Sequence, residues 1–218
     1  MKRKIVVLLL VACGLVLSGC KFNRGIAGSG VRKTEKRDLK SFKAIDTTGA
    51  YEIDVTCQKP ASFEIEADDN ILPLIKTEVR DGILFVSSDQ RYHSSKPTIL
   101  RIMLPDLNSV SSHGAGEIKI DDARSNDLKI ESTGAASVVA SGTATSVTIS
   151  SSGAGKIDTS NLHAEKARVD VKGASSIDVY ASQQLDVSVS GVGNVSYSGN
   201  PKVVNKHVSG IGSVSPKD

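Results

Sequence analysis

From about residue 109 onward, apolar and polar positions alternate along the chain with a period of two, as in "LKIES", "VTISS" and "LDVSVS". That period puts successive side chains on opposite faces of an extended strand, whereas an amphipathic helix would repeat near 3.6 residues. The alternation is itself repeated. Gly114 in "SHGAGEIKI", Gly134 in "STGAASVVA", Gly153 in "SSGAGKIDT", Gly173 in "VKGASSIDV", Gly191 in "VSGVGNVSY" and Gly210 in "VSGIGSVSP" recur at steps of 20, 19, 20, 18 and 19. Four residues before each glycine stand Val110, Ile130, Ile149, Val169, Val187 and Lys206, and four after stand Ile118, Val138, Ile157, Ile177, Val195 and Val214. All but Lys206 are β-branched and apolar, the residue type that favours strands.

A unit of about 19 residues holding two or three short strands cannot bury its own apolar face, so each unit must stack on the next. Stacking lays equivalent positions over one another, each rung adding about 4.8 Å. Ile118, Val138, Ile157, Ile177, Val195 and Val214 then form one inward ladder. The glycines mark the corner where each coil turns, supplying backbone freedom or a close approach that a side chain would obstruct. Small neighbours Ala115, Ala135, Ala154 and Ala174 suit the same corner. The expected fold is all-β, a single parallel β-helix (β-solenoid) of about 19-residue coils.

The amino-terminal third reads differently. "SFKAIDTTGAYEIDVTCQ" suggests two strands around a degenerate corner at Gly49. In "EADDNILPLIKTEV", Asp69 or Asn70 is placed to cap one short helical turn. "TEVRDGILFVSS" reads as a hairpin with Asp81-Gly82 at its turn, and "TILRIMLPDL" as a strand feeding the first strong repeat. This strand and hairpin segment is expected to cap one end of the solenoid, where a bare edge would invite aggregation.

Composition adds an address. The chain begins "MKRKIVVLLLVACGLVLSGC", with three basic residues ahead of an apolar run from Ile5 to Leu17. That run is too short to span a bilayer, which takes about 20 residues, and reads as an export signal over residues 1–19. Its end, Leu17-Ser18-Gly19-Cys20, resembles a bacterial lipobox, which implies cleavage before Cys20 and acylation of that cysteine. More than one acyl chain anchors stably, at about 0.8 kcal/mol per buried methylene. In organisms that use an aspartate after the lipidated cysteine for inner-membrane retention, Lys21 at that place implies outer-membrane sorting. Without the signal, the chain balances 24 basic against 24 acidic residues. Eight Lys or Arg and two acids fall within residues 21–43, so residues 20–38 are expected to form a lipidated, basic tether. That arm lies against anionic headgroups or is simply solvated. Nucleic-acid binding is not expected: tryptophan is absent and aromatic residues make up 4%.

Little in the sequence points to chemistry. "SSGAGKID" has the look of a phosphate loop, yet Ser150 stands where a Walker loop needs glycine, and Ile157 follows Lys156 where Ser or Thr is needed. A calcium-binding nonapeptide repeat fails on the period and on an aspartate that recurs only from Asp158 to Asp178. The strongest catalytic cluster is Asp158 a rung from Asp178, with Lys156 and Lys172 nearby, against a simply solvated outer face. His93, His113, His163 and His207 lack metal-ligand spacing. Cys13 leaves with the signal, so Cys57 in "YEIDVTCQ" is the single free thiol, either a buried small hydrophobe or a reactive group. No catalytic residue, metal or cofactor is expected.

"RDLKSFKAIDTTGAYEIDV", "EIEADDNILPLIKTEVRDGILFV", the serial "SGAG"-like corners and "YSGNPKVVNKHVSGIGSVS" together resemble the GIN domain, the auto-transporter adhesin head domain of bacterial lipoproteins and exported proteins. The resemblance spans about residues 38–216 and implies a right-handed parallel β-helix over 39–216, with no established catalytic residues. Tyr51, Ala136 and Ser175 replace the second corner glycine of the usual pattern, which bears on any function needing a bare glycine surface on each rung. The expectation is a lipid-anchored, non-enzymatic envelope protein presenting a binding surface, an adhesin or a module for a glycan or envelope polymer. The alternative is a structural or assembly role in the envelope; a β-helix lyase or hydrolase ranks below both.

Overall fold

The computed structural model describes residues 25–217. Its amino-terminal strands are β1 (Ile26–Ala27), β2 (Arg32–Lys36), β3 (Ala44–Thr47), β4 (Ala50–Cys57) and β5 (Ser62–Asp68). They are followed by β6 (Ile75–Arg80), β7 (Ile83–Ser88), β8 (Tyr92–His93), β9 (Thr98–Leu104) and β10 (Ser109–Ser112). The repeat contributes β11 (Ala115–Ser132), β12 (Ala135–Ser151), β13 (Ala154–Val171), β14 (Ala174–Tyr180) and β15 (Gln184–Val189). Three more close the chain: β16 (Val192–Ser198), β17 (Val203–Val208) and β18 (Ile211–Pro216). The architecture is all-β, a β-solenoid of about five turns.

Successive coils pair in parallel with like residues in register, as a 19-residue period requires. Ile53, Ile118, Val138, Ile157, Ile177, Val195 and Val214 are consecutive partners. All are buried except Val214 on the last rung, which is only partly covered. A second column runs through Ile45, Val110, Ile130, Ile149, Val169 and Val187 and ends on Lys206. Each fully buried Ile or Val contributes roughly 1.5–3 kcal/mol relative to exposure, so these columns are the main cohesive element. Buried hydroxyls at the corners are paired, as low dielectric demands: Ser151 and Ser175 lie 2.6 Å apart, and Thr159 donates to the Asp178 carbonyl at 3.1 Å.

The amino-terminal third is more than a cap. β3 and β4 form a coil of their own, pairing in parallel with β10 and β11, so the corner at Gly49 lies under Gly114 and lengthens the ladder by one rung. β9 leads through residues 105–108 into β10, the first strand of the repeat, as its sequence suggests. It pairs with β4, and β4 is the strand that meets β11. Below this level the chain reverses: β5 pairs antiparallel with β9, β2 antiparallel with β5, and β6 antiparallel with β7. The β6–β7 hairpin turns at Asp81 and Gly82, both at positive φ (51° and 74°), as the Asp-Gly signal predicts.

Two expectations about this third need correction. The short helical turn is a single 3-10 turn, Leu72–Leu74, with no side-chain cap. Asp69 and Asn70 instead hold the incoming chain: Ser29 donates to Asp69 at 2.6 Å, and Asn70 donates to the Ala27 carbonyl at 2.8 Å. The second correction concerns residues 20–38, read as a tether. From Ile26 onward this segment is docked, with β1 parallel to β8 and β2 antiparallel to β5. Cross-strand charge pairs line this docking, beside the backbone ladder and Ile26, which packs against the core. Arg32 meets Glu66 and Asp68, Lys33 meets Asp69, and Lys36 meets Glu64, all at 3.0–3.7 Å. Arg37 pairs with Glu35 and also donates to the Ile75 and Leu72 carbonyls. Of the described bases in this segment, Arg32, Lys33 and Lys36 are thus paired with acids of the cap and Arg37 with Glu35 beside it.

Candidate binding surface

The corner glycines are explained by close approach alone. None of the six has positive φ, but a Cβ on Gly134 would stand 1.6 Å from the carbonyl oxygen of Gly114, and the other five would meet the rung below at 1.7–2.1 Å. That same oxygen accepts the next amide, Ala135 N–H to Gly114 O at 2.8 Å, so it cannot retreat without breaking the ladder. Tyr51, Ala136 and Ser175, the departures from the family pattern, are buried. They fill the inside of the corner, so the outer surface does not sense them. Outside the corner runs a column of exposed Ala50, Ala115, Ala135, Ala154 and Ala174, continued by Val192 and Ile211.

The proposed acidic cluster is assembled only in part. Asp158 and Asp178 are register partners, with Lys156 3.8 Å from each and Lys217 3.3 Å from Asp178. Lys172 lies on the other side of the corner, in a shallow depression with Lys129, Glu131, Arg168 and Asp170. Burial alone would raise the Asp158 pKa, but the Ser160 hydroxyl and amide both donate to its carboxylate, and with Lys156 and Lys217 they hold it below the usual range. A carboxylate kept ionised in this way is a poor proton donor at neutral pH.

The remaining sequence candidates take structural places. Cys57 is fully buried, and desolvation pushes its thiol up to about 11, which makes it a packing residue rather than a nucleophile. His113 bridges the Thr133 hydroxyl at 2.9 Å and the Asp46 carboxylate at 3.4 Å. Among the described residues no group of three or more His, Cys, Asp or Glu side chains could hold a metal ion. Cys20 lies outside the described residues.

Sequence reasoning missed the main concavity. A groove of about 900 Å³, roughly half a coil along the chain from the glycine corner, is lined by Lys43, Asp106, Asn108, Arg124, Asp127, Thr143, Thr145, His163 and Glu165, among others. Register stacks Arg124, Thr143 and His163 on successive rungs. The His163 ring lies 4.4 Å from the Tyr180 ring, tilted by 51°, and forms a small aromatic platform beside these polar groups. The signal was present but faint. "DDARSND", "SGTAT" and "SNLHAEK" are the stretches between the β-branched anchors, and they differ from coil to coil where the corners do not.

These features define a class: a stacked, parallel β-solenoid with a regular polar exterior and an irregular groove. The chain belongs to the family described as "Putative auto-transporter adhesin, head GIN domain", which matches residues 41–201. Among solved structures, it is similar to a putative adhesin from Bacteroides fragilis, at 26% identity and TM-score 0.71, over 88% of this chain and 100% of that one. A putative adhesin from Parabacteroides distasonis shares the fold at 18% identity and TM-score 0.51, over 88% and 99% of the two chains. A protein titled a putative lipid binding protein from the same species also shares it, at 18% identity and TM-score 0.50 over the same shares. No curated protein matches the chain. The family and its relatives mark this as an adhesin-type protein of the bacterial envelope or surface.

Proposed function

We propose that the protein is a lipid-anchored, non-enzymatic envelope adhesin, held at the outer membrane through Cys20, whose solenoid presents a groove for a glycan or similar envelope polymer. The observation that carries the ligand class is the groove itself. Arg124, Asp127, Thr143, Thr145 and Glu165 offer donors and acceptors beside the exposed His163, whose ring packs on Tyr180. Sugars bind through such combinations, with hydroxyls bridged by polar side chains and an apolar ring face laid on an aromatic one. The non-enzymatic reading is supported by the family and by an Asp158 kept ionised away from this groove. A glycan array and a peptidoglycan pull-down with the non-acylated chain test it. Binding weakened at least tenfold by His163→Ala supports the reading; no retained polymer, or binding indifferent to groove substitutions, sinks it.

An assembly role is the second reading, favoured by the exposed Val192, Val203, Val208 and Ile211 of the last rungs. Light scattering separates the two: a defined oligomer without polymer affinity selects assembly.

A further inference from the structure

We propose that the amino-terminal pole of the solenoid, the docked residues 25–30 with the loop 89–97, faces the lipid headgroups directly, so that the solenoid stands up from the membrane on a very short leash. The inference rests on the anchor reading of Cys20 and on where the chain becomes fixed. Ile26 N–H donates to the Arg91 carbonyl at 2.9 Å and Gly28 N–H to the His93 carbonyl at 2.8 Å. Ser29 and Gly30 are held by Asn70, Asp69 and Asp68. Asp68 is almost fully buried and takes a further bond from Ser94 at 2.8 Å, tying the incoming chain to the loop. Only residues 21–24 separate Cys20 from this fixed point, a span of at most about 17 Å when fully extended. A free segment as far as residue 38 would reach about 60 Å.

The charges of this pole match an anionic surface. Arg91 and Lys96 are exposed, and among the described residues neither is in an ion pair. The nearby acids are committed: Asp89 to Lys76 at 3.2 Å, Asp69 to Lys33, and Asp68 to Arg32. Lys21 and Arg24 add two charges on the leash itself. Each basic residue close to an anionic leaflet adds roughly fivefold in affinity. The other end of the solenoid is out of reach. From the Gly49 rung to the Gly210 rung the stack rises about 29 Å, so β17 and β18 point away from the bilayer.

The test uses acylated protein in vesicles carrying a headgroup-bound nickel chelate, with spin labels on Ser95→Cys at the pole or Ser213→Cys on the last rung. Cys57, being buried, stays unlabelled. Strong relaxation of the Ser95 label with a silent Ser213 label is the expected result; equal signals overturn the proposal. A 20-residue Gly/Ser insert after Arg24 separates leash from charge. The Ser95 signal should then vanish on phosphatidylcholine and persist on phosphatidylglycerol, falling at least tenfold there in Arg91→Gln/Lys96→Gln. No difference between the two lipids refutes the charge contact. Mass spectrometry of the mature amino terminus keeps the two readings apart. An unmodified Cys20 overturns the anchor and the leash together, while an acylated Cys20 with a remote Ser95 overturns the leash alone.

Discussion

The two ends of this solenoid face one physical problem and meet it differently. A parallel stack always leaves one rung with unpaired backbone and half-covered side chains. At the amino-terminal end the chain reverses direction: β5 runs antiparallel to β9, β2 antiparallel to β5, and β6 antiparallel to β7. One apolar column there ends on fully buried Ile65, the other runs through fully buried Leu84 to a partly covered Val79 on β6, and the strand outside β5, β2, has no buried residue and four charged ones. A charged edge of that kind resists further strand pairing. At the carboxy-terminal end, β17 and β18 remain parallel and have no outer strand partner among the described residues. Val204 and Val214 are only partly covered, and Lys206 occupies the place where the column calls for a β-branched residue. Its stem lies across the open end, with the ammonium 3.0 Å from the Val214 carbonyl and 4.9 Å over the Tyr197 ring. A stack can thus be finished by extra chain or by one long amphipathic side chain.

The largest expected effects compare truncations to alanine at the two ends. Leu100 sits in the capped end between Ile53 and Ile65 with no exposure, so Leu100→Ala should cost about 2–5 kcal/mol in urea unfolding. Val204→Ala at the open end should cost under about 1 kcal/mol, because its site is already partly wet. Equal losses would mean that the tip is covered in solution. The corner column gives the next contrast. In Gly134→Ala the new methyl meets a carbonyl fixed from above and below, so the loss should exceed the roughly 1–3 kcal/mol of ordinary overpacking. Gly210→Ala makes the same clash but lies on the last rung, free to lift, and should lose about half as much.

What the sequence made legible follows the same division. Wherever a coil repeats, the β-branched anchors and glycines dictate one answer, and the columns from Ile118 to Val195 are buried as the period requires. Where the chain departs from the repeat, the determinants are cross-strand charges with no period to betray them. β2, "RKTEK", has no apolar face and reads as linker until "SFEIEAD" is laid beside it, when its bases fall opposite Glu64, Glu66 and Asp68. The groove escaped for a related reason. Its residues come from five separated segments, brought together only by stacking.

Because charge closes one end, acid should open that end first. Hydrogen bonds from Arg101, with Arg32 also near, hold the Glu66 carboxyl below its usual range, and the Ser29 hydroxyl does the same for Asp69. A depressed folded pKa contributes stability that is present above the unfolded value, about 4, and lost as pH falls through the folded one. Pepsin at pH 2–3 should therefore cut first within residues 25–37, while the coils from β11 to β14 stay intact. Simultaneous digestion of both regions would show that the cap does not depend on these pairs.

The smallest thermodynamic effect belongs to Lys206, yet it bears most directly on why the open end is tolerated. Lys206→Val completes the column above Val187 and should change monomer stability by less than about 1 kcal/mol, since the gain in apolar burial on a last rung is offset by loss of the bond to Val214 and of the contact with Tyr197. Its effect on association should be larger in kind. A last rung without Lys206, with exposed Val203, Val208 and Ile211 and unpaired strand edges, is a template for another β-edge. The variant should form end-to-end dimers or longer stacks in light scattering under conditions where the parent stays monodisperse. The same substitution at an outward-facing neighbour, Asn205→Val, should leave the scattering unchanged, because Asn205 only bonds Asp186 on the flank and does not lie across the open end. If both variants associate alike, added hydrophobicity alone is responsible, and Lys206 is not the residue that closes the stack.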